Sequence, residues 1–297
     1  TIVDGVLGRR WVPVIPASMV KDVFLRSHVG PLGGHRPAAA TASLLRDKAW
    51  WPSMQQDLEM LTDRCWVCQR YRRRALKGPS RAISLKYGIP WLEISIDIAG
   101  PSQPADRDGH RYVFTYLCRL AKGSMLEPMR DLGHSEVRRA FAKAALRSGA
   151  LPAVIGSDRG PELVNVCMDE LMALLGPARR LGTAWRPMEQ GDVEREHVEE
   201  HLLLGFLIQD IFRCSPGEWS TLLPLVEHLR YVTPRSNGLA PRDIDRGWSL
   251  ACPLERELMP LTPAPAEPLS EVAKKQFAAW RQVREVALSH RSKEQVK

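Results

Sequence analysis

The chain has 297 residues, 44% of them hydrophobic and 26% charged, with a formal net charge of +8 and a pI near 9.4. That is ordinary globular composition, with room for one large domain and one or two small ones. No apolar run approaches the ~20 residues needed to cross a bilayer, and the positive charge suits a polyanionic partner, usually nucleic acid. The six cysteines are scattered, with only Cys65 and Cys68 close together. That pattern excludes a secreted disulfide framework and points to a reducing, intracellular compartment.

Residues 1–16 mix β-branched residues with Gly and Pro and read as a short β extension, a hairpin ahead of the first helix. Residues 17–74 form a small helical domain. Its first helix, SMVKDVFLRSH, ends at His28, and His35 follows in PLGGHRP. Two further helix-period stretches lead to Cys65-x-x-Cys68. Two His nitrogens and two Cys sulfurs make a closed tetrahedral set for Zn²⁺, a structural site with no open position for catalysis. A segment this short buries too little apolar surface alone, so the metal supplies folding energy.

Residues 75–90 are a basic linker. Arg70, Arg72, Arg73, Arg74, Lys77 and Arg81 lie in or beside it, in a stretch from Arg64 to Lys86 that holds no Asp or Glu. Such a run can follow a phosphate backbone through salt-dependent, sequence-blind contacts.

Residues 91–252 read as the core. WLEISIDIA, HRYVFTYLC and SMLEPM are strands, residues 135–148 a helix, LPAVIGSD a strand, PELVNVCMDELMALLG a helix and ARRLGTA a fifth strand. The order βββαβαβα predicts an α/β, RNase H-like mixed five-stranded sheet with flanking helices. Asp97 and Asp158 each end a strand, and Glu194 enters a helix after a Pro/Gly-containing loop. Carboxylates so placed suit two hard divalent cations, Mg²⁺ or Mn²⁺. His110, His134, His197, His201 and His228 have no metal-like partners in sequence and read as surface or hydrogen-bonded residues. Trp50, Trp51 and Trp91 read as packing anchors. Residues 253–268 are a Pro-rich tether, and residues 269–297 read as one amphipathic helix with a basic end.

The three carboxylates, with thirty-five residues between Asp158 and Glu194, resemble those of retroviral and retrotransposon integrases. ISIDIAGP, GSDRGPEL and WRPMEQGDVERE look most like the gypsy-type long-terminal-repeat elements, and His28, His35, WWPSM, Cys65 and Cys68 resemble the His-His-Cys-Cys domain of the same proteins. The resemblance runs from about Val14 to Gly247. It implies a multimeric enzyme of the nucleus that trims element DNA ends and joins them to target DNA. Asp97, Asp158 and Glu194 would hold its catalytic Mg²⁺ or Mn²⁺. One departure is the helix after Glu194, which reads Arg195, Glu196, His197, Val198, Glu199, Glu200. This acidic run predicts repulsion of a phosphate backbone. The alternative reading is therefore an integrase-derived, domesticated subunit of a large assembly, in an organelle or ribonucleoprotein particle. It would bind RNA, DNA or protein with the triad unused.

Overall fold

The computed structural model describes residues 2–3, 6–7, 12–30, 32–46, 48–71, 88–157, 178–181, 199–208, 216–235 and 238–246, with helical positions between 277 and 289. They belong to two compact units, Thr1–Leu76 with Val232–His290, and Lys77–Tyr231 with Arg291–Lys297.

In the first unit, β1 (Ile2–Val3) pairs antiparallel with β2 (Val6–Leu7), forming the expected hairpin. Helix α1 (Ala17–Phe24) runs on into a π-helical turn, Leu25–Val29. Then follow α2 (Ala38–Leu45), α3 (Met54–Asp63) and α4 (Trp66–Tyr71). Their apolar faces meet in a core of Ile15, Val23, Phe24, Leu45, Ala49, Trp51 and Leu58. Trp51 is an anchor as expected, 2% exposed, and its indole N–H donates to Asp57 Oδ2 at 3.0 Å. Trp50 is not, because it is 50% exposed. Its backbone makes a parallel bridge to Val14, and successive side chains of an extended segment point to opposite sides, so burying Trp51 turns Trp50 outward. Farther along this unit, the Trp280 indole donates to the carbonyl of Ile244, at the helix Pro241–Arg246.

The second unit is built on a five-stranded sheet. Its strands are β3 (Glu93–Ala99), β4 (Tyr112–Cys118), β5 (Ser124–Met129), β6 (Val154–Ser157) and β7 (Ala178–Leu181), in the order β5-β4-β3-β6-β7. The first three are antiparallel neighbours, while β6 runs parallel to both β3 and β7. This is the mixed RNase H-like sheet that the strand pattern predicts. The helix expected over PELVNVCMDELMALLG lies outside the described residues.

Helix α5 (His134–Ser148) covers one face of the sheet. Its buried residues Val137, Ala140, Phe141, Ala144 and Ala145 recur at helical spacing, and it ends at Gly149, whose φ of +72° is the left-handed cap that glycine adopts most easily. Phe141 meets Phe114 and Tyr116 of β4 edge to face. The other face carries Val113 and Leu126. These pack with Leu207, Trp219, Leu222, Leu223, Val226 and Leu229, from the helical residues 199–208, the 3₁₀ turn Pro216–Leu222 and the helix Leu223–Val232.

Strand β5 lies at the sheet edge, and its outward backbone groups are covered. Glu227 accepts from Leu126 N–H, Arg139 Nη2 donates to the carbonyl of Pro128 at 2.9 Å, and Pro128 has no N–H to cover. A proline in a strand is tolerated at such an edge. Burial pushes the Glu227 carboxyl up to about 7, against the lowering effect of the Leu126 N–H and the Arg147 guanidinium. A carboxyl with a raised folded pKa keeps its proton longer folded than unfolded, so its contribution to stability falls as pH rises. The expected result is that stability attributable to Glu227 declines from about pH 4.5 to about pH 7 and then levels. Thermal melts of wild type against Glu227→Gln across that window check it, and a difference independent of pH would refute it.

Candidate functional site

The four predicted zinc ligands converge, as their ligand atoms all lie within 4.8 Å of one another. Each is delivered by a local device. The π-helical turn closes with Gly30 N–H donating to Leu25 O at 2.8 Å and presents His28, fully buried and stacked on Phe24 at 4.6 Å between centroids. The chain then reverses through Gly33, where an added Cβ would come within 2.5 Å of the His28 carbonyl. His35 follows at φ +47°, its N–H donating to His28 O at 2.9 Å. Next to it, buried Arg36 donates to Thr233 Oγ1 at 2.7 Å. Cys65 closes the end of α3, and Cys68 sits one turn into α4 with Gln69 N–H donating to Cys65 O at 2.9 Å.

The distances suit one small tetrahedral ion. Cys68 Sγ is 3.3 Å from His28 Nε2, and Cys65 Sγ and Cys68 Sγ are 3.4 and 3.8 Å from His35 Nδ1. With Zn–N near 2.0 Å and Zn–S near 2.3 Å at tetrahedral angles, N···S edges of about 3.6 Å are required. Two imidazoles and two thiolates are a donor set for Zn²⁺, and four protein ligands leave no place for a reacting molecule.

Asp97 lies near the end of β3, half-buried, with its Oδ1 accepting from Ile98 N–H at 2.8 Å. Its Cα partner on β4 is Thr115. On the other side of β3, Ile96 pairs with Ser157, the last residue of β6. Asp158, the next residue in sequence, and Glu194 lie outside the described residues. Arg70 is exposed on α4, whereas Arg72, Arg73, Arg74, Lys77 and Arg81 lie outside the described residues.

The acidic run after Glu194 needs a correction. Residues 199–206 are helical, but Glu200 is 6% exposed and so is withdrawn from the solvent-facing surface. It pairs with the buried Arg230, whose Nε is 3.4 Å from Glu200 Oε1, and Arg230 Nη1 reaches Glu199 Oε2 at 3.2 Å. Part of the negative charge read from sequence is therefore neutralised inside the protein. Arg230 itself carried no sequence signal, because its partners lie about thirty residues upstream with no spacing rule to connect them. His110 is hydrogen-bonded, as expected, but it does have metal-like partners, since its ligand atom and those of Asp106 and Asp108 lie within 4.8 Å of one another. Asp106 accepts from its ring Nδ1 at 2.7 Å, from its N–H at 2.6 Å and from Asp108 N–H at 3.0 Å. Ser220 also donates to Asp106, so this carboxylate organises a turn. Among the described residues no helix is long and apolar enough to cross a membrane.

Comparison with known proteins extends this picture. Residues 15–74 match the model of the integrase zinc binding domain. The Gag-Pol polyprotein of feline leukemia virus is 25% identical across 78% of this chain and 13% of its own length. Gypsy retrotransposon integrase-like protein 1 of Rattus norvegicus is 25% identical across 55% of this chain and 31% of its own length. The chain thus spans under a third of the curated relatives it matches. A solved structure of the HTLV-2 integrase catalytic core domain in complex with magnesium aligns with 53% of this chain and 97% of its own, at 14% identity and a TM-score of 0.44.

Proposed function

The chain is related to retroviral and gypsy-type integrases and carries their zinc-binding domain, and from that premise we propose that it is a DNA-joining enzyme. In this reading Asp97, Asp158 and Glu194 hold two Mg²⁺ or Mn²⁺ ions. When bound, such ions lower the cost of charge on the attacking and leaving oxygens of a phosphodiester. The protein's own part is to hold Asp97 rigidly on the sheet and to orient the DNA ends. No covalent link between protein and DNA is needed.

One observation supports this reading above the rest. Ile96 on β3 and Ser157 on β6 are partners in a parallel pair, and the next residue along each chain is an aspartate. Hard cations take carboxylate oxygens, and a central sheet is a rigid support for them. His28, His35, Cys65 and Cys68 hold a structural Zn²⁺. Arg70, Arg72, Arg73, Arg74, Lys77 and Arg81 contact the DNA backbone, and the protein acts in the nucleus as a multimer, because two DNA ends must be brought together. The alternative, a recruited subunit with an unused triad, drew on the acidic helix, and pairing of Glu199 and Glu200 with Arg230 weakens that argument.

The test is strand transfer on labelled duplex ends with Mg²⁺ or Mn²⁺, beside Glu194→Gln. Joined products from wild type that vanish in the variant are expected. No joining or nicking with either metal, from folded and zinc-loaded protein, would overturn the proposal in favour of the recruited subunit.

A further inference from the structure

We infer that Arg230 is a positioning residue, which sets the register of the helix at residues 199–206 on the sheet face that carries Asp97. The inference rests on the proposed reading of Asp97 as a metal ligand, and it concerns residues that the resemblance does not assign.

Asp97 and Thr115 are cross-strand partners, so their side chains share a face and lie side by side. Thr115 is fully buried, and its hydroxyl donates to Glu200 Oε2 at 3.5 Å. Glu200 Oε1 lies 3.4 Å from Nε of Arg230, an ion-pair contact, and Arg230 is 2% exposed. A chain of contacts thus runs from the helix Leu223–Val232 through Arg230 and Glu200 to the strand neighbour of Asp97. Glu199 joins it from the solvent side, its side chain 52% exposed.

The cost of such a cluster argues for a role beyond holding the fold together. Burying a guanidinium and a carboxylate carries a desolvation penalty, and apolar residues of similar volume are often as stabilising or more so. The rest of this helix has apolar partners at hand, since Leu203, Leu204 and Leu207 pack in the core of that face. Apolar contacts tolerate sliding, whereas an ion pair with a hydrogen bond at its far end accepts one register. The far end of this chain of contacts is Thr115, the cross-strand partner of Asp97, so the register of this helix bears on the support of that carboxylate. Glu200 faces Arg230 across an ion pair, and in this inference it acts as a support.

The test uses the zinc-loaded 297-residue chain and compares wild type, Asp97→Asn, Arg230→Met, Arg230→Lys and the double variant Glu200→Leu with Arg230→Met. Mn²⁺ affinity is measured by electron paramagnetic resonance of the free ion, beside thermal melts and the Mn²⁺ dependence of DNA nicking. Arg230→Met is expected to weaken Mn²⁺ binding by about 10–100-fold, the range for lost support of metal ligands, and Arg230→Lys to recover part of it. The double variant is expected to melt like wild type while keeping the metal defect, a separation that a merely structural role does not give. Recovery of Mn²⁺ affinity together with melting temperature in the double variant would overturn the inference. So would wild-type affinity in a folded Arg230→Met protein. Wild type that binds Mn²⁺ no tighter than Asp97→Asn would overturn the reading of Asp97 and this inference with it, a result distinct from loss of the Arg230 effect alone.

Discussion

Removing zinc, or replacing Cys68 with Ser, is expected to unfold the His/Cys-bearing helices α1–α4. These helices share one small core of Ile15, Val23, Phe24, Leu45, Ala49, Trp51 and Leu58, and small cores leave little net stability. The ligands come from three places: the turn after α1, the reversal before α2, and the junction of α3 with α4. One ion therefore closes the chain on itself across about forty residues, His28 to Cys68. Structural zinc contributes about 10–16 kcal/mol of apparent binding energy in small domains, as much as the whole net stability of a typical domain, about 5–15 kcal/mol. Losing one thiolate should then cost the fold and not only the affinity. Trp51 is 2% exposed, so its fluorescence should shift to the red on chelation, with a parallel loss of helical circular dichroism. Zn²⁺ should reverse both and Mg²⁺ neither. Co²⁺ in its place should show thiolate charge-transfer bands that disappear in Cys68→Ser. A chelated protein with unchanged fluorescence and dichroism would refute a structural zinc.

The zinc ligands were legible because their chemistry is local and their residue types are few. His28-x₆-His35 and Cys65-x-x-Cys68 have spacings that only a handful of arrangements explain. The strands were legible for a similar reason, since β3 and β4 alternate or run apolar over seven residues. Even β5 was found despite Pro128, because an edge strand tolerates proline. Three features escaped. Helix α4 has only six residues, too few for a periodic signal. The π-helical turn depends on how His28 must face its ligand partners, which no propensity encodes. The Glu200–Arg230 pair is a tertiary match between distant residues, and the sequence shows Glu200 only as part of an acidic run. Trp50 shows the converse, a large aromatic that sequence assigns to a core and backbone alternation turns outward.

Replacing Phe141 with Ala is expected to cost the second unit stability and to leave its metal dependence intact. Phe141 is fully buried, with ring centroids 6.4 Å from Phe114 and 5.8 Å from Tyr116, and it is the main aromatic link between α5 and β4. Truncating such a ring removes transfer energy and leaves a cavity, together about 3–5 kcal/mol. In a unit of this size each kcal/mol lowers the melting temperature by about 2–4 °C, so a drop of roughly 10 °C is expected. Phe114 and Tyr116 face α5, while Thr115 between them faces the other way, beside Asp97 and Glu200. The cavity therefore opens on the far side of the sheet from Asp97 and Glu200. Below its melting transition, Phe141→Ala should need no more Mn²⁺ for nicking than wild type. Arg230→Met should need more, even where the fold is restored by its partner substitution. If Phe141→Ala also raised the Mn²⁺ requirement well below its transition, the two faces of the sheet would be coupled, and support for Asp97 could not be assigned to one face.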